Sequence, residues 1–220
     1  MLYFSDLLQY SDVFFSGLMT TVELTVLTTI LGVALGTACA TTRQYGNKAS
    51  QRAVTVYVEL IRNTPFIVQL FFIFFGLPAL GMRLSPWEAS MIALTINLGA
   101  YSTEIIRAGL GSISKGQIEA AKVLGLTFRQ TLTRVIFVPA FEKIYPALTS
   151  QCIIVMLGSA VISQISVEDL TYAANLVQSR NFRAFESYLV TALLYLGLSI
   201  LLRFAFNTLG KHLFTYRATR

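Results

Sequence analysis

The stretch Phe66-Ile67-Val68-Gln69-Leu70-Phe71-Phe72-Ile73-Phe74-Phe75 decides the fold. Gln69 is its only polar side chain, and apolar and polar positions do not alternate. That excludes both a half-buried strand and a membrane-barrel strand, whose two faces follow a period of two. The stretch sits inside an apolar window from Val54 to Leu80, and a helix needs roughly 20 such residues to cross hydrocarbon. Four more windows lie on either side of it: Phe14 to Ala40, Trp87 to Leu110, Ile144 to Ile165 and Tyr188 to Leu209. Lipid offers backbone groups no partners, so each window must satisfy its own hydrogen bonds as a helix. The expected fold is an all-α membrane protein of about five transmembrane helices.

Composition agrees. Hydrophobic residues make up 55% of the chain and charged residues 13%, against about 25% charged in soluble domains. The net charge of +6 resides in short segments between apolar windows, which suits membrane topology and leaves no patch for nucleic acid. Thirteen basic residues fall in three segments: Arg43, Lys48 and Arg52; then Arg107, Lys115, Lys122, Arg129, Arg134 and Lys143; then Arg203, Lys211, Arg217 and Arg220. Short cytoplasmic loops collect Lys and Arg, so these three segments are placed inside. An odd number of spans follows, with the N-terminus outside and the C-terminus inside. The N-terminus lacks a basic region and a small-residue cleavage site, so the first span is expected to stay as an uncleaved anchor.

Several chemistries are excluded. Cys39 and Cys152 both fall in apolar windows, and His212 is the only histidine. Neither a nucleophilic triad nor a multi-histidine metal site can be assembled, so no catalytic residue, metal or small-membrane-enzyme activity is expected. No phosphate-binding Gly-x-x-x-x-Gly-Lys-Ser/Thr loop is present. Nor is there an internal repeat of the kind from which secondary transporters build alternating access, so five helices read as half of a pore that a second copy or a similar chain completes.

The cytoplasmic connection after the third window, residues 111–135, carries two helix starts with capping-box spacing, Ser114 with Gln117 and Thr127 with Gln130. Gly125 lies between them and suits the left-handed end of the first helix. The pattern predicts helix, glycine turn, helix at the cytoplasmic face. Within it stands Glu119-Ala120-Ala121, followed after three residues by Gly125. Elsewhere the chain reads Tyr57-Val58-Glu59-Leu60-Ile61-Arg62-Asn63-Thr64-Pro65, and Asn97-Leu98-Gly99-Ala100-Tyr101-Ser102-Thr103-Glu104.

These three motifs, in this order, resemble the permeases of ATP-binding-cassette importers, in particular the branch that takes up histidine, glutamine, glutamate or arginine. The resemblance covers residues 14–212 of a single transmembrane domain, 1–220. It implies a multi-pass protein of the cell inner membrane whose loop, through Glu119, Ala120, Ala121 and Gly125, seats on a separate ATPase dimer. It also implies a second permease chain, identical or homologous, and an extracytoplasmic substrate-binding protein. The permease itself is then non-catalytic and holds no cofactor, with ATP and Mg on the ATPase. The cargo implied is a polar or charged amino acid, or a derivative such as an opine. Many relatives carry Lys-Asp-Thr-Ser in the fourth span where this chain has Leu157-Gly158-Ser159-Ala160. The competing reading is a self-contained oligomeric channel or secondary carrier for small polar solutes.

Polar groups inside hydrocarbon must pair or face water. Arg62 and Glu104 lie at similar depth and are expected to form an ion pair, with Glu59 close by. Gln69, Asn97, Ser159, Ser163 and Gln164 are expected to face the bundle interior, as interhelical hydrogen bonds or as a substrate path that also takes in Arg62 and Glu104. Asn97 is the leading substrate contact, because Gly99 and Ala100 should leave room beside it.

Overall fold

A computed structural model of the chain describes residues 4–214. Arg217 and Arg220 of the predicted basic tail, like the first three residues, lie outside the described residues. All regular structure among the described residues is helical. After a 3-10 turn at Ser5–Tyr10 come α1 (Ser11–Tyr45), α2 (Lys48–Arg62), α3 (Phe66–Phe71) and α4 (Pro86–Gly111). Next are α5 (Lys115–Val123), α6 (Phe128–Gln130), α7 (Val138–Gly158), α8 (Leu170–Asn181) and α9 (Ala184–Leu213).

Three continuous helical segments are long and apolar enough to cross a membrane: Ser5–Tyr45, Phe128–Ile165 and Ala184–Leu213. A fourth candidate is the pair Lys48–Arg62 and Phe66–Leu80, bent by 110°. The third predicted window coincides with α4, whose 26 residues span about 39 Å. Its length suffices, but Ser90, Thr95, Asn97, Glu104 and Arg107 make it more polar than the others.

The expected second span, Val54 to Leu80, is therefore not one straight helix. Pro65 has no N–H to give the carbonyl of Ile61, and the residue before a proline avoids the helical region. Asn63 and Thr64 turn back on the helix they leave, donating to the carbonyls of Glu59 at 2.8 Å and Leu60 at 2.7 Å. The chain then restarts at Phe66 and continues through a π-helical stretch, Phe72–Gly76. The fourth span also begins earlier than expected, because α6, a π-helical segment at Thr131–Phe137, α7 and a 3-10 stretch at Ser159–Ile165 run without a break.

Helices α1 and α4 form the spine. Gly17, Thr21, Thr25, Thr28, Gly32, Gly36 and Ala40 recur every three or four residues and make one small, buried stripe on α1. The threonine hydroxyls bond back to their own helix, as from Thr25 to the Thr21 carbonyl at 2.6 Å and from Thr28 to Leu24 at 2.6 Å. The stripe thus presents no unsatisfied hydroxyl to its neighbour, and close backbone approach can drive packing where lipid is as apolar as the helices. A Cβ on Gly36 would stand 2.5 Å from the Ser102 Cβ, and one on Gly32 2.8 Å from Leu98. Around this spine Leu24, Leu70, Leu94, Leu98 and Ile162 form the main core.

Candidate functional site

At the C-terminal end of α1 a polar cavity of about 330 Å³ is lined by Arg43, Glu59, Arg62, Asn63, Tyr101 and Glu104, with Val58 as its apolar wall. Glu104 is its hub. Arg43, in the last turn of α1, donates to one carboxylate oxygen. Arg107, one turn along α4, donates to the other from Nε at 3.3 Å and Nη2 at 3.0 Å. Arg62 reaches the same oxygen at 4.0 Å and lies 5.5 Å from the Tyr101 ring centroid.

The expected Arg62–Glu104 pair is thus the longest of three. By sequence Arg43 is a charge of the loop after the first window, and nothing local in the sequence brings α1 and α4 together at this point. Arg107 was legible, since Glu104 and Arg107 have the i,i+3 spacing that places side chains on one helical face. In the lining Arg43 and Arg62 balance Glu104 and the exposed carboxylate of Glu59, while Arg107 engages Glu104 from outside the cavity. Such a cavity offers fixed charges of both signs to a small zwitterion.

Asn97 and Gln69 meet, but as a structural knot. Asn97 Nδ2 donates to Gln69 Oε1 at 3.0 Å. Gln69 Nε2 donates in turn to the carbonyls of Ile61 at 2.7 Å and Thr64 at 3.0 Å. The Ile61 carbonyl is the acceptor that Pro65 leaves empty, so the Gln69 amide replaces the lost helix bond. The room expected beside Asn97 does not exist. A Cβ on Gly99 would meet Leu35 at 2.7 Å and the Tyr57 hydroxyl at 2.9 Å, and Ala100 is fully buried. Small residues here admit a neighbouring helix and a tyrosine, whose Oη donates to the Ile96 carbonyl at 2.7 Å. Ser159 and Ser163 are buried and donate to the carbonyls of Met156 and Ala160, while Gln164 is exposed. The structure does not bring these three to the polar cavity.

The second candidate surface is the loop around α5. Ser114 caps this helix without a side-chain bond, so the first expected capping box does not form. At the other end Leu126 N–H donates to the Ala121 carbonyl at 3.1 Å and Gly125 N–H to Lys122 at 3.0 Å, with Gly125 at φ +71°. This is the Schellman pattern, in which a left-handed glycine ends the helix. Thr127 and Gln130 then form a complete capping box. That second helix does not lie on the surface but runs on into the span to Ile165. Glu119 and Ala120 are exposed, Ala121 is buried, and Val123, Leu124 and Phe128 present large apolar surfaces beside them.

Sequence comparison matches residues 32–214 to the family described as binding-protein-dependent transport system inner membrane component. The chain is 37% identical to the Bacillus subtilis (strain 168) protein described as "probable glutamine ABC transporter permease protein GlnM", over 96% of this chain and 95% of that one. It is 35% identical to the L-cystine transport system permease protein TcyB of the same organism, over 97% and 92%. Among solved structures, the crystal structure of an amino acid ABC transporter with histidines matches with a TM-score of 0.87 at 35% identity, covering 96% of this chain and 99% of that chain.

Proposed function

The chain belongs to the binding-protein-dependent transport system inner membrane component family, and on that premise we propose that it is a permease of an ATP-driven importer that moves a polar or charged amino acid inward. The observation that carries this reading is the likeness, over nearly the whole chain, to glutamine and cystine permeases. Five spans cross the cell inner membrane: Ser5–Tyr45, the bent pair, α4, Phe128–Ile165 and Ala184–Leu213, with the N-terminus outside. The basic segments at the start of α2, around α5 and at the end of α9 support that orientation. The chain performs no chemistry of its own. ATP and Mg reside on a separate ATPase dimer, and an extracytoplasmic binding protein delivers the cargo.

The polar cavity receives the amino acid. Arg62, the guanidinium least engaged with Glu104, takes the carboxylate, and Glu59 takes the ammonium. A volume of about 330 Å³ lies at the small end of ligand sites. Glu23 supports the need for a second permease chain. It is exposed on α1 in the middle of the stripe Phe15, Met19, Val26 and Ile30, with no ion-pair partner among the described residues. A carboxylate facing lipid costs roughly 2.5–3.5 kcal/mol on insertion scales, so this stripe is better suited to another polypeptide.

The α5 surface docks the ATPase, with Glu119 and Gly125 at its centre. Glu119→Lys reverses a charge there, and Gly125→Asp forces a β-carbon into a left-handed position. Both variants are expected to insert normally yet to lose capture of the ATPase in pull-down and ATP-driven amino-acid uptake in proteoliposomes. Undiminished capture by both would refute the docking role, and uptake by the permease alone would favour the carrier reading.

A further inference from the structure

Between the inner halves of α7 and α9 lies a groove of about 840 Å³. One wall is the α7 face carrying Glu142, Tyr145, Thr149 and Ile153; the other is the α9 face carrying Arg203, Phe206, Asn207 and Lys211. Residues 142 to 153 cover about 16 Å of helix, close to the half-thickness of a hydrocarbon core of roughly 30 Å. The groove therefore runs along a single leaflet, with its mouth at the basic, cytoplasmic end of α9.

Tyr145 ties the two walls together across the groove. Its Oη donates to the Phe206 carbonyl at 2.7 Å, and its ring lies where a Cβ on Gly210 would be 2.6 Å away. Arg203 and Lys211 have no ion-pair partner among the described residues, and Arg203 lies about 9 Å inside the end of its apolar window. Glu142 is the one acidic residue lining the groove. Two cations and one anion leave a net charge of +1, which a single phosphodiester neutralises. Above the mouth the lining combines the apolar side chains of Ile153 and Phe206 and the ring of Tyr145 with the polar groups of Thr149, Ser150 and Asn207.

We infer that this groove is a binding site for one anionic phospholipid of the cytoplasmic leaflet, a phosphatidylglycerol type rather than a zwitterionic one. Lys211 and Arg203 hold the phosphodiester, Glu142 accepts from the headgroup hydroxyls, and an acyl chain lies along Phe206 and Ile153. Basic pockets between helices on the cytoplasmic side are the places where acidic headgroups bind. The inference rests on the membrane orientation proposed above and is independent of the cargo.

The test is photo-crosslinking of the whole transporter complex in nanodiscs, with phosphatidylglycerol or phosphatidylcholine bearing a diazirine on one acyl chain, and labelled residues mapped by mass spectrometry. The glycerol lipid is expected to label Thr149 and Phe206 well above the choline lipid, and both to label the open α9 face at Leu193 and Ile200 equally. Arg203→Gln and Lys211→Gln should each lower the selective labelling roughly fivefold, with the Leu193 signal unchanged as the control for folding. Equal labelling of the groove by the two lipids in the unaltered complex would overturn the proposal. So would an unlabelled groove beside a labelled Leu193, which would mean that a second copy of the chain covers it.

Discussion

Gln69 and Asn97 share one hydrogen bond but differ in what depends on it. Asn97 contributes a single neutral donor, and interhelical bonds of that kind average about 0.6 kcal/mol in membranes. Gln69 closes two carbonyls at the break made by Pro65, and each buried acceptor left open costs about 1–3 kcal/mol. Gln69→Leu is therefore expected to lower the thermal midpoint of the purified complex more than Asn97→Leu. The opposite order would mean that the bend does not rely on the Gln69 amide. Glu104 makes a second contrast. Glu104→Gln leaves three arginines facing one another, a loss of roughly 2–3 kcal/mol, below the range for fully buried pairs because the side chains of Arg62 and Arg107 remain 43% and 41% exposed. Exchanging Arg62 and Glu104 should not restore stability, since an arginine at 104 would face Arg43 and Arg107. Recovery of expression in the exchange variant would instead single out the Arg62 pair as dominant.

At the scale of elements, the α1–α4 contact depends on side chains that are missing. A Cβ at Gly36 meets the Ser102 side chain and, at 3.1 Å, the Gly99 carbonyl. Gly36→Val is expected to force the two helices apart and to cost about 2–3 kcal/mol by overpacking. Gly197→Ala on α9, where no atom lies within 4 Å, should be neutral or slightly stabilising. Comparing detergent-resistant assembly of the two variants checks this, and equal tolerance would refute the close packing. The small residues of α1 recur at helical spacing, but nothing in that spacing says which helix they meet. The partner gives no signal either, because α4 offers Leu98, Gly99 and Ser102 at that face, a mixture without a periodic signature.

For the molecule as a whole, the N-terminal halves of α1 and α9 and the start of α8 meet at Asp169. Its carboxylate caps α8 by accepting from Tyr172 N–H at 2.8 Å and also accepts from the Tyr195 hydroxyl at 3.1 Å, while Thr21 of α1 accepts from Leu170 N–H at 3.1 Å. Burial pushes the Asp169 carboxyl up from 3.8 to about 6, against those hydrogen bonds, which lower it. With the folded value above the unfolded one, the folded protein holds the proton more tightly between these limits. The contribution is fully present below about pH 4 and is lost as pH rises through about 6. The thermal midpoint should therefore carry a component that falls between pH 4 and 6, and Asp169→Asn should remove that component. An unchanged slope in the variant would place the titration elsewhere.

The sequence by itself determined that the chain is helical and membrane-embedded, where its apolar windows and basic segments lie, and the local stops and starts: the Gly125 turn, the Thr127 cap and, through Glu-Ala-Ala and its companions, the family. These depend on composition and on spacings of three or four residues, which one helix carries within itself. Tertiary structure alone decided that Arg43 joins Glu104 across 61 positions of chain, that Leu35 and Tyr57 fill the space beside Gly99, and that Gln69 repairs the break at Pro65. Each of those outcomes depends on which helix faces which, and at what depth. That is set by close packing among helices of nearly equal hydrophobicity, a difference that no single apolar window records.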